Sequence, residues 1–517
     1  MSSQSESIAP NANRLLWAGF MAILAAGVGY SVRGGILGQW ATQFGFTMTD
    51  LGAITGGGLT GFGVVIILSS LIADKIGYGK LMVSAFALHV ISAVITLLAP
   101  AAFAAGGKGA AFNCLFWGMF IFAVGNGLCE AVVNPLTATL FPQNKSKFLN
   151  ILHAGWPAGL VLGGLASAFM AGSKGDPSAN VAAVPAIDWK IQMSLFLIPV
   201  LIYGFMLLGQ KFPKSEASSA GVTLAQMLGS IIAPLMLVLI IAQALVGYVE
   251  LGTDSWISKI TGAIMASPAA GLKLFVYTSL LMFALRFVAG PIVHTISPLG
   301  LLFVSACLGA LGLTLLGSAV TVVSCVIAAT VYACGKTFLW PTMLAVVSER
   351  FPKGGAVAIG LIGGVGMLSA GLLGGPAIGF EQDFHASANL KNTAGETYDR
   401  YKAANENSFL SFKTYGLDGA KVGVLDDDGK ELNRTSELLT KENKTDNNHT
   451  KLVEWWTTAK ENASTDKPLV EKAGIFGGQS ALKLTAYVPM AMAVIYLFLI
   501  IYFKLNGGYK ALQVEKD

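Results

Sequence analysis

The sequence predicts an all-α polytopic membrane protein. It has twelve transmembrane helices in two six-helix bundles, a 6+6 pseudo-repeat, with a polar extracytoplasmic insert between helices 11 and 12. Three observations predict it. Only 12% of the 517 residues are charged, while 54% are hydrophobic; a soluble domain carries about 25% charged residues. Apolar runs long enough to cross a bilayer as helices recur along the chain. Short motifs of the first half return, in order, in the second.

The apolar runs number twelve: 14–39, 50–73, 81–103, 111–140, 149–172, 190–209, 226–250, 270–293, 298–317, 319–347, 355–380 and 481–503. The first six form an N-terminal bundle (14–209). The polar stretch KFPKSEASSAGVTL (211–224) marks a cytoplasmic linker, set at 210–223. Helices 7–11 follow (224–380), then the insert (381–480) and helix 12 (481–505). Cytoplasmic tails of 1–13 and 506–517 close the two ends. Lys and Arg sort by loop. Lys75, Lys80, Lys145, Lys147, Lys211, Lys214, Arg350, Lys353, Lys504 and Lys510 share one side, and the alternate short loops hold little beyond Lys108. The positive-inside rule puts that side, and both termini, in the cytoplasm. The polar N-terminus MSSQSESIAPNANR lacks the basic and apolar regions of a cleaved signal.

Residues 381–480 are rich in Asn, Asp, Glu and Lys. Helices are expected near 396–413 and 450–463, with Trp455 and Trp456 docking on a bundle. Four N-x-S/T sites (Asn433, Asn443, Asn448, Asn462) fall here. The five Cys (114, 129, 307, 325, 334) all lie inside apolar runs, which argues against a disulfide framework. No metal or redox spacing occurs, and no cofactor is expected. The net charge of +5 reflects loop bias, not a nucleic-acid surface. No G-x-x-x-x-G-K-[ST] occurs, so ATP drive within this chain is not expected. No nucleophile stands with a base, so an enzyme is not expected.

The internal repeat is visible in three places. CEAVVNPLTATLFP in span 4 matches GKTFLWPTMLAVVSERFP in span 10 when Pro135 is laid on Pro341, which places Glu130 on Lys336. GLVLGG (159–164) matches GLLGG (371–375), and GYSVRGG (29–35) matches GYVELG (247–252). Parallel repeats of six spans are the architecture of transporters whose site lies near midplane between the halves.

These residues resemble the major facilitator superfamily of secondary transporters. SSLIADKIGYGK (69–80) is similar to that family's signature between spans 2 and 3, with Asp74, Lys75, Gly77 and Lys80 at its gating positions. E-x-x-x-N-P (Glu130, Asn134, Pro135) and W-P-T (Trp340, Pro341, Thr342) most resemble the fucose–galactose–glucose proton symporters. The resemblance implies that Glu130 belongs to a sugar and proton site. It also implies that spans 1, 4, 7 and 10 line a central cavity. The Asp that this family carries in span 1 is replaced here by the stretch Arg33, Gly34, Gly35.

Charges inside spans are rare and functional by default. Here they are Arg33, Glu130, Glu250, Arg286 and Lys336, with His89 and His153 as further titratable groups. Four of the five charges fall on the implied cavity helices. Their signs suggest two pairs exchanged by the repeat, Arg33 with Glu130 and Glu250 with Lys336; Glu130 with Lys336 is the alternative. Arg33 lies 16 residues above Trp17, about 24 Å. Glu130 lies 11 residues above Phe141, about 17 Å. Direct contact is therefore not assured. Gln39, Asn134, His153, Trp156 and Trp340 complete the expected site, because amides match hydroxyls and indole faces stack on sugars. Pro157 and Pro341 free backbone carbonyls inside their helices. The glycine strings TGGGLTGFG (55–63) and GLIGGVG (360–366) are close-packing surfaces.

The sequence therefore leads to a monomeric secondary transporter of the cell membrane, moving a neutral sugar or polyol with protons. An organic-anion carrier using Arg33 and Lys336 is the second hypothesis. A non-transporting receptor sensing solute through 381–480 is the third.

Overall fold

The computed structural model describes residues 9–513 except 47, 57, 171–186, 442–444 and 446. The Asn443 site and the outer parts of both tails lie outside the described residues. Among these residues, twelve helices are long and apolar enough to cross a membrane. Spans 1 to 6 are Ala12–Ala41, Ala53–Ile76, Tyr78–Leu97, Ala99–Leu140, Lys145–Met170 and Trp189–Leu207. Spans 7 to 11 are Pro234–Ile264, Pro268–Arg286, Ala289–Leu316, Val322–Arg350 and Pro352–Thr393. Span 12 ends the helical run Asn447–Leu505. Spans 1–6 pack on one another as one bundle and 7–12 as the other, and the halves meet along spans 2 and 11 and spans 5 and 8. The twelve apolar runs of the sequence thus become twelve helices.

Two helical stretches turn where backbone geometry is not helical. Gly106 and Gly107 (φ −142° and +68°) lie inside Ala99–Leu140, and Ser297 (φ +66°) lies inside Ala289–Leu316. Pro298 follows the second turn and begins span 9. The first turns of Ala289–Leu316 therefore extend span 8 beyond Arg286.

Close helix packing is set by glycine. A Cβ on Gly27 would stand 2.5 Å from the Trp156 carbonyl oxygen, so spans 1 and 5 approach there only because Gly27 lacks one. A Cβ on Gly252 would lie 2.8 Å from Gly374 Cα, which lets spans 7 and 11 meet. Across the bundles, a Cβ on Gly63 would lie 2.8 Å from the Gly364 carbonyl oxygen. Of the two glycine strings, 360–366 is a packing surface, with Gly360, Gly364 and Gly366 each closely faced by another helix, whereas in 55–63 Gly63 packs this way and Gly58 and Gly61 meet open space. Spans 7 and 11 each carry a π-turn, Tyr248–Gly252 and Ala370–Gly374, and these pack on each other. Such turns gather at functional sites, and Glu250 sits in the first.

Between spans 11 and 12 the chain folds into Gly395–Tyr401, an antiparallel hairpin (Asn407–Phe409 with Phe412–Thr414), Gly419–Asp426, Lys430–Lys441 and Asn447–Ala459. The helix expected over 396–413 stops at Tyr401, and the hairpin takes its place. Trp456 docks on the outer ends of the helices that carry spans 11 and 12, away from the core of the spans themselves. It is buried in a separate small core with Leu390, Tyr401, Leu425 and Val470, while Trp455 packs edge-on against Tyr401. Asp466, fully buried, accepts from Arg400 Nε at 2.8 Å and from the Thr397 hydroxyl at 2.8 Å. The Asp466 carboxylate raises the Arg400 guanidinium above its ordinary range.

Candidate substrate and proton site

The first half supplies a chain of hydrogen bonds. Glu130 and Asn134 lie one turn apart on span 4, directly before Pro135, and both are buried. Asn134 Nδ2 donates to Glu130 Oε2 at 2.6 Å and to the Glu130 carbonyl at 3.1 Å. His153 Nε2 donates to Asn134 Oδ1 at 2.8 Å. Among the described residues, no Lys or Arg forms an ion pair with Glu130. Trp156 stacks at a tilt on Tyr30 of span 1, ring centroids 5.7 Å apart.

The second half supplies two ion pairs. Arg286 Nη2 donates to Glu250 Oε1 at 3.0 Å. Lys336 donates to Asp254 Oδ1, and its ammonium lies 5.3 Å from the Tyr332 ring centroid. The second oxygen of Glu250 has no hydrogen-bond partner among the described residues. Trp340 is buried, packed where a Cβ on Gly366 would stand, 2.7 Å from the indole ring.

Arg286 joins the halves. Its Nε donates to the Thr337 carbonyl at 3.0 Å, and its Nη1 donates to the His153 carbonyl. Both acceptors lie four residues before a proline, at Pro341 and Pro157. A proline has no N–H for the carbonyl four residues back. The two Trp-Pro steps thus each free one carbonyl, and one guanidinium takes both.

The expected pairs do not form. Arg33 does not meet Glu130. It is buried inside the N-terminal bundle, its guanidinium carbon 3.6 Å from the Phe122 ring centroid and 5.5 Å from that of Phe196. None of its three side-chain nitrogens has a hydrogen-bond partner among the described residues. The height mismatch explains this: Phe122 lies 19 residues from Phe141, about 28 Å up span 4, nearer the level of Arg33 than Glu130 is. Glu250 pairs with Arg286, not with Lys336. The repeat-related alternative, Glu130 with Lys336, is absent too. Gln39 sits outside this strip. Its Nε2 donates to the Ile187 carbonyl at 3.3 Å, near the start of span 6.

Asp254, Arg286 and Tyr30 were not among the expected site residues. Asp254 follows a polar stretch that reads as the end of span 7, yet the helix continues through the π-turn to Ile264. Arg286 carried a signal in the sequence, a lone arginine inside a span. Span 8 is not one of the implied cavity helices, so the resemblance alone does not place Arg286 in the site.

At the end bearing the linker, the bundles are closed. Lys145 of span 5 donates to Glu216 of the linker at 2.9 Å and to the Ser348 carbonyl of span 10 at 3.2 Å. Asn150 donates to Thr342 Oγ1 at 3.3 Å. Asp74 lies beside Gly355, the first residue of the helix Gly355–Ser369, where a Cβ would be 3.7 Å from its Oδ2. A helix N-terminus favours a carboxylate. Gly77 (φ +92°) makes the turn between spans 2 and 3, and Lys75 and Lys80 are exposed.

The sequence profile of the Major Facilitator Superfamily matches residues 19–375. No curated protein matches the chain closely enough to count as a relative. Solved structures do match. The E. coli fucose:proton symporter FucP, in its outward conformation, aligns with a TM-score of 0.57 at 16% identity, over 72% of this chain and 92% of FucP. The proton:xylose symporter XylE, bound to 6-bromo-6-deoxy-D-glucose, aligns at 0.57 and 15% identity, over 75% and 92%. A bacterial homologue of the human lysosomal transporter Spinster, inward-facing and unoccupied, aligns at 0.60 and 14% identity, over 97% and 99%. At such identities the likeness is one of fold.

Proposed function

The chain belongs to the Major Facilitator Superfamily and is an integral membrane transporter, and on that premise we propose that it carries a sugar or similar polyol together with protons. One observation carries the reading: the buried run Glu130–Asn134–His153 reaches the face of the N-terminal bundle that meets Arg286 and Glu250. A buried carboxylate without an ion-pair contact is costly. Glu130, held only by an amide, is the group whose cost is relieved by taking a proton. Glu250, with one oxygen free, offers an acceptor to a hydroxyl. Trp156 and Trp340 supply aromatic faces, and Asn134 supplies an amide. These are the parts that polyol recognition uses.

Transport then proceeds by alternating access between the bundles. On the orientation read from the lysines, the closed linker end faces the cytoplasm and both termini lie there. Asp74 and Lys145 hold that end shut, with Lys75, Gly77 and Lys80 shaping the turn beside it. The protein works as a monomer in the cell membrane.

The anion hypothesis finds less support. Arg33 is enclosed by aromatic rings, and Lys336 is already paired, so an anion must displace Asp254 to reach it. The test is uptake of labelled neutral sugars by cells making the protein, with a pH electrode in weakly buffered medium. Wild type and Glu130→Gln are compared. Sugar uptake accompanied by alkalinisation, with both lost in the variant, is expected. Absence of neutral-sugar uptake by protein shown to be in the membrane would refute the sugar reading.

A further inference from the structure

Arg286 donates three of its N–H groups to acceptors on three different spans. Two are in its own bundle: the Thr337 carbonyl of span 10 and Glu250 of span 7. The third, the His153 carbonyl, is on span 5 of the other bundle. It is a main-chain oxygen exposed by Pro157 and therefore present whatever the protonation state of the side chains. The charged groups that act on Arg286 are Glu250 and Asp254 from span 7 and Glu130 from span 4. The His153 ring is a further titratable neighbour, and Lys336 of span 10 acts on Glu250 from the other side. Counting these full charges, three carboxyl groups stand against two bases. Only Glu130 lies across the bundle interface from Arg286 and lacks an ion-pair partner.

We infer that Arg286 is the positioning residue that ties proton occupancy of Glu130 to closure of the linker end. With Glu130 ionised, the guanidinium is drawn toward the N-terminal bundle and keeps its bond to the His153 carbonyl. With a proton on Glu130, that attraction is gone. Arg286 then settles on Glu250 and Thr337 within its own bundle, and spans 5 and 8 are free to part. The step moves one proton onto a Glu130 oxygen and exchanges one hydrogen bond; no covalent bond other than O–H is made. The inference rests on the proton-coupled reading of Glu130 and does not depend on which solute is carried. Lysine cannot replace Arg286, because one ammonium cannot present the planar fork that reaches two carbonyls and a carboxylate together.

The experiment reads closure directly. Thr139 lies buried between the bundles at the linker end, in the small pocket bounded by Lys145, Glu216 and Ser348. Thr139→Cys is introduced into full-length protein whose five native cysteines are changed to Ser. Its rate of labelling by a water-soluble maleimide is followed in detergent, each rate divided by that of a free thiol at the same pH. In the otherwise wild-type protein, labelling is expected to be slow and to quicken several-fold on acidification. With Glu130→Gln added it is expected to be fast at every pH. With Arg286→Gln or Arg286→Lys it is expected to be fast and no longer responsive to pH. Size-exclusion profiles establish that each variant is folded. An Arg286→Gln protein with the slow, pH-responsive labelling of its parent overturns the inference. So does one that labels fast yet still responds to pH, since that is a contact that only holds helices together. Because no solute is needed, failure of the sugar reading leaves this result interpretable. A parent whose labelling ignores pH would overturn the coupling itself.

Discussion

Asp254→Asn should destabilise the protein more than any conservative surface change. Lys336 is 1% exposed and its partner Asp254 is 11% exposed. Removing the carboxylate leaves an ammonium buried against Tyr332 with an amide in place of an anion. A hydrogen bond to a charged group contributes roughly 1.5–3 kcal/mol. Breaking a buried pair from one side costs about 3–5 kcal/mol, because the remaining ion is uncompensated. The larger figure applies here, since water does not reach Lys336. The double variant Asp254→Asn with Lys336→Met removes the orphan charge and should recover most of the loss. Reversible unfolding by SDS titration in mixed micelles measures all three proteins. The reasoning is refuted if the single variant lies within about 1 kcal/mol of wild type, the ceiling for an exposed pair. It is equally refuted if the double variant is no more stable than the single one.

Two further outcomes follow from packing and burial. Gly364→Leu places a side chain where even a Cβ would stand 2.8 Å from the Gly63 carbonyl oxygen; spans 2 and 11 must separate, and uptake should fall to background in protein that still reaches the membrane. Asp466→Ala removes the acceptor of Arg400 and Thr397; limited proteolysis should cut the 395–462 region faster, while uptake persists if transport is carried by the bundles.

Much of the fold was legible because a bilayer leaves few options. Backbone polar groups in hydrocarbon must be satisfied within the helix, so an apolar run of sufficient length dictates a span. Turns at Gly106–Gly107 and Ser297 fall between the runs that the sequence separates. The repeat was legible through Pro135 and Pro341, although span 10 breaks between Lys336 and Leu339 whereas the helix Ala99–Leu140 runs on through Pro135. Residues 395–462 were less legible. Their short helices are weakly patterned, and only the long-range core around Tyr401 and Trp456 decides where each one stops.

The site divides in the same way. Sequence alone marked the groups that are costly inside a span: Arg33, Glu130, Glu250, Arg286 and Lys336 by charge, and Pro157 and Pro341 by the carbonyls they free. Only tertiary structure decided the partners. Arg33 turned to the aromatic rings at its own height, Asp254 paired with Lys336 on a helix that continues past the π-turn, and Arg286 took both free carbonyls. Charge and backbone chemistry are local properties of a sequence. Pairing depends on helix height and rotation, which are fixed by packing between residues far apart in the chain.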